Sequence, residues 1–165
     1  MKFRLGFAKK LPKNKNYTLV ILKLFRHHKL SYNVEILLLG MNNIGKDGEI
    51  VAANFLKNLG YEILDRNFKN ITGRVIGEID IIAKDREMNE LVFVEVKTRE
   101  YQKYKDTLPE ENITPSKLRK LNRIATRYLQ EKNLREEHYR FDAISVWLDY
   151  TTRRAKIKHL KSIFY

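Results

Sequence analysis

The chain has 165 residues, of which 43% are hydrophobic and none is cysteine. This length suits one domain with a substantial core, while the lack of cysteine excludes disulfides and thiolate metal sites and fits a reducing cytoplasm. The formal net charge of +13 favours a polyanionic partner such as nucleic acid.

Residues 1–40 are strongly basic, with nine Lys or Arg and a single acid, Glu35. Their apolar runs, 16–25 and 33–40, are shorter than the ~20 residues that cross a bilayer. Two interpretations stay open: a basic arm on a membrane surface or nucleic acid, or translation that begins at Met41. We therefore predict a basic N-terminal extension over 1–40 and a compact domain over 41–165.

The domain opens with an amphipathic helix over residues 44–60, in which Gly60 is a natural stop. A second helix follows Thr114 and Pro115, which suit an N-cap and a first turn. The other predicted elements are a strand at 61–69, a turn at 70–73, a β-hairpin at 77–99 and strands at 139–149 and 155–160. This order predicts an α/β fold, with a mixed central sheet flanked by helices.

The hairpin carries three charged residues within its apolar runs: Asp80, Glu95 and Lys97. A turn centred between Glu87 and Met88 places Asp80 opposite Glu95, with Cβ atoms ~5 Å apart. Alternation along the strand brings Lys97 to the same face. The apolar neighbours are predicted to pack on the opposite face: Ile79, Ile81, Val94 and Val96.

Two adjacent carboxylates on a buried sheet repel each other and are costly to desolvate. A divalent cation resolves that conflict, and Mg²⁺ commonly takes one or two carboxylates. With Lys97 beside them, Asp80 and Glu95 suit metal-assisted phosphodiester hydrolysis. The alternative is an exposed edge strand on which Asp80 merely pairs with Lys97.

Glu49 lies at the edge of the buried stripe of the first helix, from where its carboxylate can reach the sheet. The competing interpretation is an ordinary first-turn glutamate, which the helix dipole favours.

The segments "GEIDIIA", "FVEVKTR" and "RFDAISV", preceded by a helix bearing "GE", resemble the YraN-like family of small bacterial proteins. The resemblance covers residues 43–165, and the family is similar to the PD-(D/E)xK nucleases. It implies a restriction endonuclease-like αβββαβ core, with Mg²⁺, or Mn²⁺ in its place, held between Asp and Glu on adjacent strands.

By this resemblance, Asp80 and Glu95 are expected to bind the metal, and Lys97 and Glu49 to complete the catalytic set. The expected nucleic-acid contacts are Lys117, Arg99 and Thr98. The competing interpretation of Lys117 is an ordinary solvated lysine in the first turn of its helix. Alternation along the strand places Glu78 on the face of Asp80, which makes Glu78 a candidate outer group of the site. The resemblance also matches Arg140 and Asp142 to a family motif, for which we predict a structural ion pair.

These residues together predict a metal-dependent nuclease that acts in the cytoplasm on DNA, with branched or damaged DNA as candidate substrates. The alternative is a non-catalytic nucleic-acid-binding or assembly module that retains the nuclease fold. A third hypothesis is a membrane-surface protein held by residues 1–40. Resolvase-like relatives suggest a homodimer, and no small-molecule cofactor is expected.

Overall fold

The computed structural model describes residues 24–27, 31–35, 43–69, 77–104, 114–134 and 138–163. The predicted turn at 70–73 lies outside these residues, as does most of the predicted N-terminal extension.

Both long helices begin at a capping residue, and Thr114 caps the second of them as predicted. Helix α1 spans Ile44–Asn58, and the side chain of Asn43 accepts a hydrogen bond from the Lys46 amide at 3.2 Å. Helix α3 spans Pro115–Glu131, and the Thr114 hydroxyl accepts from the Lys117 amide, also at 3.2 Å. A short helix, α2, covers Tyr101–Tyr104.

Seven strands form one mixed sheet in the order β1-β2-β7-β6-β5-β4-β3. Within it, only β5 and β6 run parallel; the other neighbouring strands are antiparallel. The strands are β1 Leu24–His27, β2 Ser31–Glu35, β3 Glu62–Lys69, β4 Glu78–Asp85, β5 Glu90–Glu100, β6 Tyr139–Asp149 and β7 Arg154–Leu160. Read as α1-β3-β4-β5-α3-β6, the central elements have the predicted αβββαβ order, so the predicted fold class is confirmed.

Strand β2, which lies within the first forty residues, joins this sheet by pairing with β7. Its Val34 is buried, and the Tyr32 ring meets that of Phe55 in α1 edge to face, with centroids 4.8 Å apart. The boundary at residue 40 stays a prediction, although β2 already belongs to the sheet of the main domain.

The sheet separates two hydrophobic clusters. One lies under α1 and unites Phe55 and Leu56 with residues of β4 to β7, among them Ile81, Val94 and Ile157. The other lies under α3 and includes Leu121, Ile124, Tyr128, Phe93 and Ile82. Because both faces are covered, side chains that leave the sheet near these helices are shielded from water.

Candidate active site

The β4–β5 hairpin has the predicted turn centre. Its pairs run from Asp85↔Glu90 to Ile81↔Val94, the register that places Asp80 opposite Glu95. The backbone ladder ends there, and Oδ2 of Asp80 accepts the amide hydrogen of Val96 at 2.7 Å. The side chain of Asp80 thus bridges the two strands where their regular pairing ends.

The alternation of side chains is interrupted at Asp80. Ile81, Val94 and Val96 pack under α1 as predicted, but Ile79 packs under α3. The prediction that Ile79 shares their face is therefore wrong. The β4–β5 ladder ends next to Ile81, and Asn67, opposite Asp80 in the β3 register, has a left-handed backbone with φ of 53°. A regular period of two does not continue through such a distortion.

Glu95 lies at the centre of the site and is only 2% exposed. Its Oε1 accepts from Lys97 Nζ at 2.6 Å and lies 3.2 Å from Lys117 Nζ. Its Oε2 is buried and has no hydrogen-bond partner within the described part of the chain. A buried carboxylate oxygen without a partner is costly, so this atom is the clearest position for a ligand.

Burial and the nearby charge of Glu95 raise the pKa of Asp80 to about 7. The hydrogen bond from the Val96 amide lowers this pKa, Glu49 raises it and Lys97 lowers it. Three other predicted site residues, Glu95, Lys97 and Glu49, therefore lie close enough to Asp80 to act on its charge. A titratable group perturbed in this way is typical of functional sites.

Glu49 reaches the site from α1 and is held by strand β3. Its Oε2 accepts a hydrogen bond from Asn67 Nδ2 at 2.7 Å and lies 3.8 Å from Arg66 Nη2. Sequence reasoning missed Asn67. The available signal was its position opposite Asp80, which appears only once the register of β3 is known.

The first turn of α1 is anchored beside β5 by a close contact. A Cβ atom added at Gly48 would overlap the Thr98 side chain, so only glycine permits this approach. The neighbouring Asp47 is buried and accepts a hydrogen bond from the Tyr150 hydroxyl at 2.9 Å. These contacts fix the position of α1 beside β5, and with it the backbone of Glu49, the next residue.

The three predicted nucleic-acid contacts have different surroundings. Lys117, in the first turn of α3, lies against Glu95 inside the site. Arg99 is partly buried, with its guanidinium carbon 5.8 Å from the centroid of the Tyr104 ring. Thr98 faces α1 at Gly48. Contacts of these residues with nucleic acid stay predictions.

Glu78 is paired with Lys69, with Oε2 and Nζ 2.7 Å apart. A role for Glu78 in the site also stays a prediction.

Arg140 and Asp142 form the predicted ion pair, within a network at the hairpin-turn end of the sheet. The Arg140 guanidinium donates to Asp142 at 3.0 Å, to Glu90 at 2.6 Å and to Asp85 at 2.9 Å. Burial lowers the pKa of Arg140, but the surrounding carboxylates outweigh burial and hold this pKa above its usual range. Every carboxylate of this network has a cationic partner, which suits a structural role.

The pair of Asp80 and Glu95 fits a hard divalent cation. No group of three or more His, Cys, Asp or Glu side chains suited to a metal occurs among the described residues. Mg²⁺ does not need one, because it is usually bound by one or two carboxylates and keeps several waters. Such a cation would give the unpartnered Oε2 of Glu95 a ligand and would lower the raised pKa of Asp80.

A mixed sheet in αβββαβ order, with Asp80, Glu95 and Lys97 together on adjacent strands, defines a restriction endonuclease-like protein. The sequence model of the uncharacterised protein family UPF0102 matches residues 48–146, and the chain belongs to this family. This is the YraN-like family, a branch of the PD-(D/E)xK nuclease-like proteins, so the resemblance noted from the sequence is confirmed.

Curated relatives support the assignment across most of the domain. The chain is 42% identical over 121 residues to a UPF0102 protein of Caldicellulosiruptor saccharolyticus, covering 73% of the chain and 96% of the relative. It is 42% identical over 123 residues to a UPF0102 protein of Clostridium botulinum strain Loch Maree, covering 74% and 94%. It is 39% identical over 120 residues to a UPF0102 protein of Moorella thermoacetica, covering 73% of the chain and 93% of the relative.

None of the described helices is long and apolar enough to span a membrane.

Proposed function

We propose that the protein is a metal-dependent nuclease that hydrolyses phosphodiester bonds in DNA. The observation that carries the proposal is Glu95, whose buried Oε2 has no partner in the described chain and which lies beside Asp80 and two lysines. Carboxylates for a cation and ammonium groups for phosphate are the parts that this reaction requires. The same proposal includes action in the cytoplasm, branched or damaged DNA as candidate substrates, and assembly as a homodimer.

Asp80 and Glu95 would hold Mg²⁺ or Mn²⁺. When bound, such an ion polarises a phosphate oxygen and lowers the pKa of water. The chain holds the two carboxylates rigidly, because the Val96 amide fixes Asp80 and Lys97 fixes Oε1 of Glu95. This arrangement leaves Oε2 of Glu95 as the free ligand atom.

The lysines supply positive charge close to the carboxylates. The Lys97 and Lys117 side chains are 27% and 31% exposed, so each ammonium can meet a solvent-borne phosphate while it contacts Glu95. Ammonium groups held near a phosphoryl centre stabilise the charge that develops during displacement. Glu49, held by Asn67, is placed to orient water or accept its proton.

The second candidate is a nucleic-acid-binding module without catalysis. It is favoured by the two lysines on Oε1 of Glu95, which already compensate the charge of that carboxylate. In that case Glu95→Gln leaves nucleic-acid binding unchanged, and affinity falls steeply with salt.

Cleavage assays separate the two candidates. The purified protein is incubated with duplex, single-stranded and four-way-junction DNA in Mg²⁺, in Mn²⁺ and in EDTA. We expect metal-dependent cleavage that falls by about 100-fold or more in both Glu95→Gln and Lys97→Ala. Glu95→Gln would weaken the hold on the cation, and Lys97→Ala removes an ammonium group beside the reacting phosphate.

The matched control is Glu87→Gln, which removes an exposed carboxylate in the hairpin turn, remote from Glu95. It should cut at the wild-type rate. Equal activity in wild type, Glu95→Gln and Lys97→Ala would reveal a contaminating nuclease. No cleavage by the wild type on any substrate favours the binding module.

Calorimetry tests the metal site without relying on cleavage. Wild type and Asp80→Asn are titrated with Mn²⁺ and with Mg²⁺, in the presence and absence of DNA. Binding by the wild type that Asp80→Asn weakens supports the site. A wild type that binds neither ion, even with DNA present, would remove the basis for metal-dependent chemistry.

A further inference from the structure

Helix α3 carries far more positive charge than α1. Its sequence, PSKLRKLNRIATRYLQE, contains five basic residues and one acid, Glu131, in the last position. Helix α1 contains two basic and two acidic residues. The excess of positive charge is therefore specific to α3 and is not shared by α1, the helix on the other face of the sheet.

Three of these basic residues form one stripe on the solvent side of α3. Arg119, Lys120 and Arg123 are exposed, and at 100° per residue they lie within an arc of about 100°. The residues buried against the sheet occupy the opposite side: Leu121, Ile124, Ala125, Tyr128 and Leu129. The stripe therefore faces away from the protein core.

The stripe lacks ion-pair partners among the described residues, whereas several other basic side chains have them. Arg127, further along α3, pairs with Glu131 at 2.8 Å, Arg86 pairs with Glu62 at 3.2 Å, and Lys103 pairs with Glu100 at 2.9 Å. The charge of the stripe is thus uncompensated within the described chain and is free to attract an anionic partner.

The stripe is also continuous with the candidate active site. Lys117, in the first turn of the same helix, has its Nζ 3.2 Å from Oε1 of Glu95. Arg119 and Lys120 follow within one helical turn, about 5 Å along the axis. Lys117 itself lies about 60° from Lys120 around the helix, at the edge of the stripe. A phosphate backbone lying along the stripe would therefore reach the first turn of α3, whose Lys117 contacts Glu95.

We propose that the solvent face of α3, formed by Arg119, Lys120 and Arg123, is the docking surface for the phosphate backbone of DNA. Contacts of this kind neutralise phosphates and position the nucleic acid, but they do not read its sequence. The inference rests on the proposed function insofar as the substrate is DNA, but it does not depend on cleavage.

The test is DNA binding at several salt concentrations, with metal chelated by EDTA so that no cleavage occurs. The full chain is compared with a triple variant, Arg119→Gln, Lys120→Gln and Arg123→Gln, by fluorescence anisotropy with a labelled duplex. Gln has a helix propensity similar to Lys and Arg, so circular dichroism should show an unchanged fold. We expect the slope of log affinity against log salt to become less steep by about 3.

The matched control also removes three positive charges, at the ends of elements remote from Glu95. It combines Lys57→Gln, Arg86→Gln and Lys132→Gln, and its salt slope should stay within about 1 of the wild type. Equal losses in both triple variants mean that total charge governs binding and overturn the docking surface.

Further outcomes separate this inference from the proposed function. A wild type that binds DNA, with an unchanged slope in the α3 triple variant, overturns the docking surface and leaves the nuclease proposal standing. A wild type that binds no DNA in EDTA overturns the docking surface, and the cleavage assay with Mg²⁺ or Mn²⁺ then decides the nuclease proposal separately. Loss of affinity for an RNA duplex, but not for the DNA duplex, would assign the surface to RNA.

Discussion

Two buried aspartates on either side of β5 have opposite environments. Both oxygens of Asp142 are satisfied: Oδ1 accepts from Arg140 and from the Ser162 amide, and Oδ2 lies 2.9 Å from Nε2 of His159. Burial raises the pKa of Asp142, but its partners outweigh burial and lower this pKa overall. These partners are His159, through its hydrogen bond and charge, the Ser162 amide and Arg140. For Asp80, by contrast, burial and Glu95 raise the pKa to about 7.

The contrast separates a charge that stabilises the fold from one that we propose is kept for a ligand. The Asp142 network holds β6 to the hairpin turn, to β7 and to the following segment, and its members have partners within the chain. The site around Asp80 and Glu95 is incomplete, since one buried oxygen has no partner in the described chain. An incomplete buried charge costs stability, so its presence points to binding.

The largest expected effect comes from Asp80→Asn, measured with EDTA present. The folded protein keeps Asp80 protonated up to about pH 7, whereas the unfolded chain ionises near pH 4. The contribution of Asp80 to stability therefore becomes less favourable as the pH rises from about 4 to 7. We expect Asp80→Asn to raise the free energy of unfolding at pH 8 by up to about 4 kcal/mol, because Asn does not ionise and so removes this penalty. The Asn side chain can still accept the hydrogen bond from the Val96 amide.

Urea unfolding at pH 4 and pH 8 checks this prediction. The two proteins should differ little at pH 4, where the carboxyl is protonated in the folded state. The same stabilisation at both pH values would show that packing, and not ionisation, is responsible.

The same substitution at Asp142 should have the opposite sign. Asp142→Asn removes the charge that faces Arg140 and His159, so we expect a loss of about 2–3 kcal/mol at pH 7. This loss should shrink as the pH falls through the lowered pKa of Asp142. Urea unfolding measures the loss, and stability equal to the wild type would contradict a structural network.

Calorimetry then sharpens the comparison between the two aspartates. Folded Asp142→Asn should bind Mn²⁺ as tightly as the wild type, whereas Asp80→Asn should not. Loss of metal binding in both variants would mean that the two charge clusters are coupled.

An intermediate effect is expected at Gly48, which allows α1 to approach β5. Gly48→Ala forces a Cβ into the Thr98 side chain, and such overpacking costs about 1–3 kcal/mol. Adding Thr98→Ala removes the two closest atoms and should recover part of the loss, as a double-mutant cycle by urea unfolding would show.

Gly45→Ala is the matched control in the same helical turn. Among the described residues its Cβ would meet only Oδ1 of Asn43, at an ordinary 3.5 Å, so stability should stay equal or rise. Similar losses at Gly45 and Gly48 would mean that helix backbone effects, and not the contact with Thr98, dominate.

The smallest change in stability is expected for Asn67→Gly. Glycine readily adopts the left-handed backbone found there, so the free energy of unfolding should change by no more than about 0.5 kcal/mol. The lost hydrogen bond to Glu49 should weaken Mn²⁺ binding roughly 10-fold, because such positioning contacts orient the groups around a metal.

Asn133→Gly is its control, since Asn133 has a similar φ of 56° just beyond α3, away from the site. Its metal affinity in calorimetry should match the wild type. If Asn67→Gly also binds Mn²⁺ like the wild type, Asn67 does not position Glu49 for the metal.

The sequence alone determined the features that depend on neighbours along the chain. Asn43 was not singled out, but Thr114 and Gly60 marked helix ends through local hydrogen bonding and backbone preference. The hairpin turn and the period of two were enough to bring together Asp80, Glu95 and Lys97, because a short turn sets the register of both strands. Motif spacing also identified the family and its fold class.

Only the tertiary structure decided the contacts between distant parts of the chain. Lys117 reaches Glu95 because α3 packs across β4 and β5, and Asn67 reaches Glu49 because β3 lies beside β4 under α1. The interruption at Asp80, which turned Ile79 to the other face, likewise depends on β3 and β5 together. Such contacts arise from packing two helices on opposite faces of one sheet, and no local pattern specifies them.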